Sequence, residues 1–90
     1  LMTFSVGGGN LKKKVSMNIV KALQYASKKK LKTISILGKN DGYAAKNSTI
    51  SIIFEIDNKK LLTPITESLQ VLVWHYLVSS PILQKNKTTW

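Results

Sequence analysis

Two stretches of this chain carry residues that could do chemistry. Near the amino end, Ser5-Val6-Gly7-Gly8-Gly9-Asn10 is followed by Leu11, by Lys12, Lys13 and Lys14, and then by Ser16 and Asn18. Three consecutive glycines weaken strand and helix alike, so the stretch is a loose linker, a tight turn between strand and helix, or a place where bare backbone approaches a ligand. Set between a strand and a helix, its unobstructed N–H groups and the positive end of the helix form an anion site. Ser5 and Ser16 add hydroxyls, Asn10 an amide and the lysines a positive field. Near the carboxyl end stands the only histidine, His75, downstream of Glu67. An imidazole titrates near neutral pH and suits general acid–base work. At about 100° and 1.5 Å per helical residue, Glu67 and His75 lie about 80° and about 12 Å apart, so they are no hydrogen-bonded dyad on one helix. A lone histidine in an apolar helix is more often a packing or interface residue, and Trp74 and Trp90 read as packing or interface anchors.

Composition narrows the field. Cysteine is absent, which excludes a disulfide framework and thiolate metal sites, and one histidine makes a zinc site a poor fit; neither a metal nor a cofactor is expected. No apolar run approaches the roughly 18 residues that cross a bilayer, so no membrane role and a cytoplasmic location are expected. The net charge of +10 invites a nucleic-acid reading, but all fourteen basic residues are lysine and they are spread along the chain. Specific recognition leans on the arginine fork, so no specific nucleic acid is expected as a partner. Neither G-x-x-x-x-G-K-[ST] nor G-x-G-x-x-G with a following acidic residue is present, which disfavours a P-loop or a dinucleotide site.

The elements that must position these residues follow from periodicity. Met2 to Val6 reads as a short buried strand. Val15, Ile19, Val20, Leu23 and Ala26 recur at three- and four-residue spacing, which predicts an amphipathic helix over 14–30. Lys32-Thr-Ile-Ser-Ile-Leu-Gly38 is a second strand, and Asn40 to Ser48 a turn and a short helix with Gly42 at a positive-φ position. Residues 49–56 form a third strand, and a long apolar-rich helix runs from Thr63 until Pro81 stops it. The order β-α-β-α-β-α demands a parallel sheet with helices on both faces, and such sheets collect ligands at the carboxyl ends of their strands. One domain over residues 1–80 with a tail over 81–90 is expected. The opening on Leu1, directly in an apolar strand, points to the back part of something longer.

The succession FSVGGGN, VSMNIVKALQYA, ISILGKNDGYAAKNSTISIIF and TPITESLQVLVWHYLVSSP resembles the carboxyl-terminal portion of the sugar isomerase (SIS) domain family. Its phosphoheptose (sedoheptulose 7-phosphate) isomerase branch is the most similar, and the resemblance spans nearly all of the chain. It implies a three-layer α/β/α sandwich of Rossmann-like type, of which this is the β-α-β-α-β-α portion, and homo-oligomers with sites at subunit interfaces. It also implies a sugar-phosphate loop on which Ser5, Ser16 and Asn18 fall at matching positions, with Gly7, Gly8, Gly9 and Asn10 in a widened stretch between them. His75 falls where a helix histidine implied in proton transfer stands, and Glu67 at a substrate-contacting position. Aldose–ketose isomerisation moves a proton between adjacent carbons through an enediol, which needs such a base. A non-catalytic phosphosugar-binding module and an inactive fragment are the alternatives.

Overall fold

The computed structural model describes residues 1–87; Trp90 and the last residues of the tail lie outside the described residues. Six elements alternate as expected: β1 (Met2–Ser5), α1 (Met17–Lys28), β2 (Ile34–Leu37), α2 (Tyr43–Asn47), β3 (Ile50–Ile53) and α3 (Leu62–Ser79). The strands form one parallel sheet in the order β1-β2-β3. Because the order advances in one direction, right-handed crossovers place α1 and α2 on the same face. The helix that follows the last strand, α3, covers the other.

Register makes the two faces chemically different. Side chains alternate along a strand, so Thr3, Ser35 and Ser51 form one cross-strand row, with Ser5, Leu37 and Ile53 beside it on the same face. There Leu37 packs with Leu23 of α1 and Ala44 of α2, and Ile19, Tyr43, Ala45 and Ile53 close around them. The hydroxyl row satisfies itself: Thr3 Oγ1 shares a hydrogen bond with Ser35 Oγ at 2.6 Å, and Ser35 Oγ with Ser48 Oγ. Ser51 Oγ donates to the Ala45 carbonyl at 3.3 Å. The opposite face carries only apolar rows, Met2-Ile34-Ile50 and Phe4-Ile36-Ile52.

The elements are shorter at several ends than the periodicity predicts. Helix α1 starts at Met17 and not at Lys14, because Lys14 and Ser16 hold left-handed φ of 53° and 47° and Asn10 pairs with Val15 in an antiparallel bridge. At its other end Lys30, at φ 55°, occupies the left-handed position usually given to glycine, and Leu31 N–H donates to the Ala26 carbonyl at 2.9 Å. Strand β3 closes at Ile53, short of Ile56. Pro81 follows the last turn of α3 as expected, with Ser80 capping it.

Helix α3 runs against the strand direction. Thr66 is fully buried against Gly38, just beyond β2, and Gln70 Nε2 donates to the Ile36 carbonyl at 2.7 Å. The inward stripe is therefore Thr66, Gln70, Val73 and Leu77, at i, i+4, i+7 and i+11.

Candidate functional site

The loop after β1 is built by its glycines. Gly8 and Gly9 are buried and hold φ of 69° and 77°, which side chains rarely adopt. Ser5 Oγ accepts the Gly8 N–H at 3.0 Å, folding the loop back over the end of its own strand. The Gly8 and Gly9 carbonyls then accept the Ala44 and Tyr43 N–H groups at 2.8 and 2.7 Å. Two glycines thus satisfy the first turn of α2 with main chain, because Gly42, its N-cap, has no side chain to offer. Gly42 itself departs from expectation. Its φ is −74°, and what demands glycine there is proximity: a Cβ would fall 2.0 Å from the Gly7 oxygen. Ala44 and Ala45 pack the short helix closely, as its composition implies.

On the other side of the loop, Asn10 N–H donates to the Val15 carbonyl at 2.9 Å and Val15 N–H to the Asn10 carbonyl at 3.1 Å. Asn10 Oδ1 accepts the Lys13 N–H at 2.9 Å, so this side chain shapes the lysine turn. Ser16 opens α1 with its carbonyl, which accepts Ile19 N–H at 3.1 Å, while its hydroxyl makes no cap. Gly7, Gly9, Met17 and Asn18 keep main-chain N–H groups with no partner among the described residues. Ser16 and Asn18 are exposed at the positive end of α1.

These pieces meet in a cleft of about 170 Å³ lined by Gly7, Gly9, Asn10, Lys13, Val15, Ser16, Lys39, Asp41 and Gly42. A water occupies about 30 Å³ in the liquid, so the space takes a small oxyanion with a few waters. Lys39 and Asp41 come from the loop after β2, which the β1-β2 pairing sets beside the glycine loop. Across that loop a wider cleft of about 530 Å³ is lined by Gly38, Lys39, Asn40, Asp41, Ile53, Glu55, Ile56, Asp57, Lys59 and Leu62. Both lie at the carboxyl ends of the strands, where open parallel sheets collect ligands.

Of the residues expected in a phosphate loop, Gly7, Gly9, Asn10 and Ser16 line one cleft, while Ser5 and Gly8 belong to the same loop and Asn18 to the first turn of α1. Glu67 and His75 are not gathered with them. Glu67 lines a groove with Met2, Phe4, Val71, Trp74 and Val78, whereas His75 lines another, on the far side of α3, with Ile52, Leu72, Tyr76 and Leu77. With Thr66 level with Gly38 and a rise of 1.5 Å per residue, His75 lies about 13 Å back from the carboxyl edge of the sheet. Its ring stacks on Trp74 at 3.9 Å between centroids. Among the described residues no group of three or more His, Cys, Asp or Glu is placed to hold a metal ion.

Lys39 and Asp41 are site residues that periodicity alone does not single out. Their signal is topological, since the loop after β2 neighbours the loop after β1 only once the two strands are paired. Comparison with protein-family models, with curated proteins and with solved structures gives no match to this chain.

Proposed function

We propose that this chain binds a sugar phosphate, with the phosphate in the cleft of the glycine loop, as the phosphosugar-binding portion of a sugar isomerase (SIS) domain. The observation that carries this reading is a convergence. Gly7 and Gly9, whose N–H groups have no partner among the described residues, line one small cleft together with Ser16 at the start of α1, Lys13 and Lys39, at the carboxyl end of a parallel sheet. Asp41 in the same cleft offers a carboxylate to a sugar hydroxyl, and the wider cleft beyond it has room for the carbon chain. Glycine here supplies main-chain donors where the resembled loop uses hydroxyls.

Isomerisation is the second reading, and His75 favours it. The side chain is exposed on α3, so its imidazole is open to a sugar held by another copy of the chain. Calorimetric titration with sedoheptulose 7-phosphate, inorganic phosphate and unphosphorylated sedoheptulose tests the first reading. The sugar phosphate binds, phosphate binds more weakly and the free sugar does not. No binding of either phosphate by chain with intact circular dichroism overturns it. For the second reading, turnover disappears in His75→Ala while phosphosugar binding persists; turnover unchanged in that variant removes the proton-transfer role.

A further inference from the structure

Charge is divided unevenly over this molecule. Residues 1–40 hold nine of the fourteen lysines and neither aspartate nor glutamate. Three of the four acidic residues, Asp41, Glu55 and Asp57, line the wide cleft at the carboxyl edge of the sheet, and the fourth, Glu67, stands on α3. Helices α1 and α2, on the other face, carry none. An ordinary solvated surface intersperses the two signs, so a helix of one sign alone presents a field that nothing on it offsets.

The lysines of α1 are ordered by its packing. Val20, Leu23 and Ala26 are buried and fix the rotation of the helix. At about 100° per residue, Lys21, Tyr25 and Lys28 then fall within about 60° of one another on the opposite side. Lys21 and Lys28 are about 10 Å apart along the axis, with Tyr25 between them. Tyr25 is 60% exposed, and Lys29 Nζ lies 5.8 Å from the centre of its ring. Lys14 stands just before the helix and Lys30 just after it, both exposed.

The chemistry of that stripe selects its partner. Ammonium groups around an open aromatic ring offer counter-charge to phosphates and a plane on which a base stacks, the two terms that bind single strands without regard to sequence. The lack of arginine, which argues against the reading of base edges, bears on neither term. A duplex keeps its bases stacked on one another and gains only the charge. An anionic membrane would also attract the lysines, but the apolar side of α1 that would enter it is already packed in the core.

We infer that the outer stripe of α1 is a sequence-independent docking surface for single-stranded nucleic acid, with Lys21, Lys28 and Lys29 on the phosphates and Tyr25 under a base. None of these four residues lines the cleft of the glycine loop, so this inference and the sugar-phosphate reading can fail separately.

Fluorescence anisotropy with a labelled strand of about 20 thymidylates, longer than a site of about 4–16 nucleotides, tests it. If the five lysines from Lys14 to Lys30 each neutralise one phosphate, the logarithm of the affinity falls with that of salt at a slope of about −3.5. The combined Lys21→Gln, Lys28→Gln, Lys29→Gln variant leaves a slope of about −1.4. Tyr25→Ala weakens binding about five- to a hundredfold with the slope unchanged, and Tyr25→Phe keeps the affinity. All four side chains are exposed, so the circular dichroism of these variants stays that of the wild type. Binding of a duplex of the same sequence does not respond to Tyr25→Ala. No binding of the strand at about 50 mM salt overturns the inference, as does a slope that the triple variant leaves in place. So does a strand indifferent to Tyr25→Ala, or stronger binding to phosphatidylserine vesicles than to the strand.

Discussion

At the scale of single residues, the three consecutive glycines divide into two roles. Gly7 adopts no left-handed φ, and a Cβ there meets nothing within 4 Å, so Gly7→Ala leaves stability within about 0.5 kcal/mol. Gly9 combines φ 77° with a Cβ position 2.8 Å from Val20 Cγ2 and 3.2 Å from the Ser16 oxygen. Gly9→Ala therefore costs about 1–3 kcal/mol, a fall in melting temperature of roughly 4–8 °C per kcal/mol for a chain of this size. Equal melting temperatures for the two variants would show that the loop is not held as described. On the proposed sugar-phosphate reading, the lysines of the cleft act on the ligand instead. Removing one charge-assisted contact costs about 1.5–3 kcal/mol, so Lys13→Ala and Lys39→Ala each weaken sugar-phosphate binding by about ten- to a hundredfold in titration while leaving the melting temperature in place.

At the scale of elements, α3 shows how far a helix can depart from a simple apolar stripe. Its apolar residues surround it, and it presents Thr66 and Gln70 to the sheet. Gln70 is repaid by the Ile36 carbonyl, but the Thr66 hydroxyl is buried with no hydrogen-bond partner. A buried polar group without a partner costs about 1–3 kcal/mol, so Thr66→Val, which swaps the hydroxyl for a methyl of similar size, raises stability by about 1 kcal/mol in denaturant unfolding. A loss of stability would mean that the hydroxyl is satisfied. On the other face Ser35 sits between Thr3 and Ser48 in a closed chain of hydroxyls. Ser35→Ala strands both neighbours and costs about 1–3 kcal/mol by the same measure.

At the scale of the whole molecule, the described residues form a sheet of three strands whose two outer strands are both edges. Buried apolar side chains are few: Val20, Leu23 and Ala26 from α1, Ile36 and Leu37 from β2, and Ala44 from α2. Leu23→Ala removes the largest contribution of α1 to this core, at about 2–5 kcal/mol, and is expected to unfold so small a domain at 37 °C, as read by loss of cooperative thermal unfolding. On the outer surface of α3, Val71, Leu72, Tyr76 and Val78 stay open to solvent. No helix among the described residues is long and apolar enough to cross a membrane.

How much was legible beforehand depends on whether a feature is local. Periodicity and turn residues determine the six elements and their order, and the alternation of strand and helix forces parallel pairing, because a crossover helix returns the chain in the same direction. The glycine run, a strand before it and a helix after it were enough to place the loop at the carboxyl end of the sheet. Only the tertiary structure decided that Gly8 and Gly9 spend their carbonyls on α2, that Gly42 is small for the sake of Gly7 and that Lys39 joins the cleft. Those facts depend on which loops lie side by side, and a neighbour distant in sequence leaves no periodic trace. It likewise decided that Glu67 and His75 face different grooves and that the polar residues of α3 point inward. A helix apolar on all sides has no stripe to reveal its inner face, so packing against the sheet had to choose it.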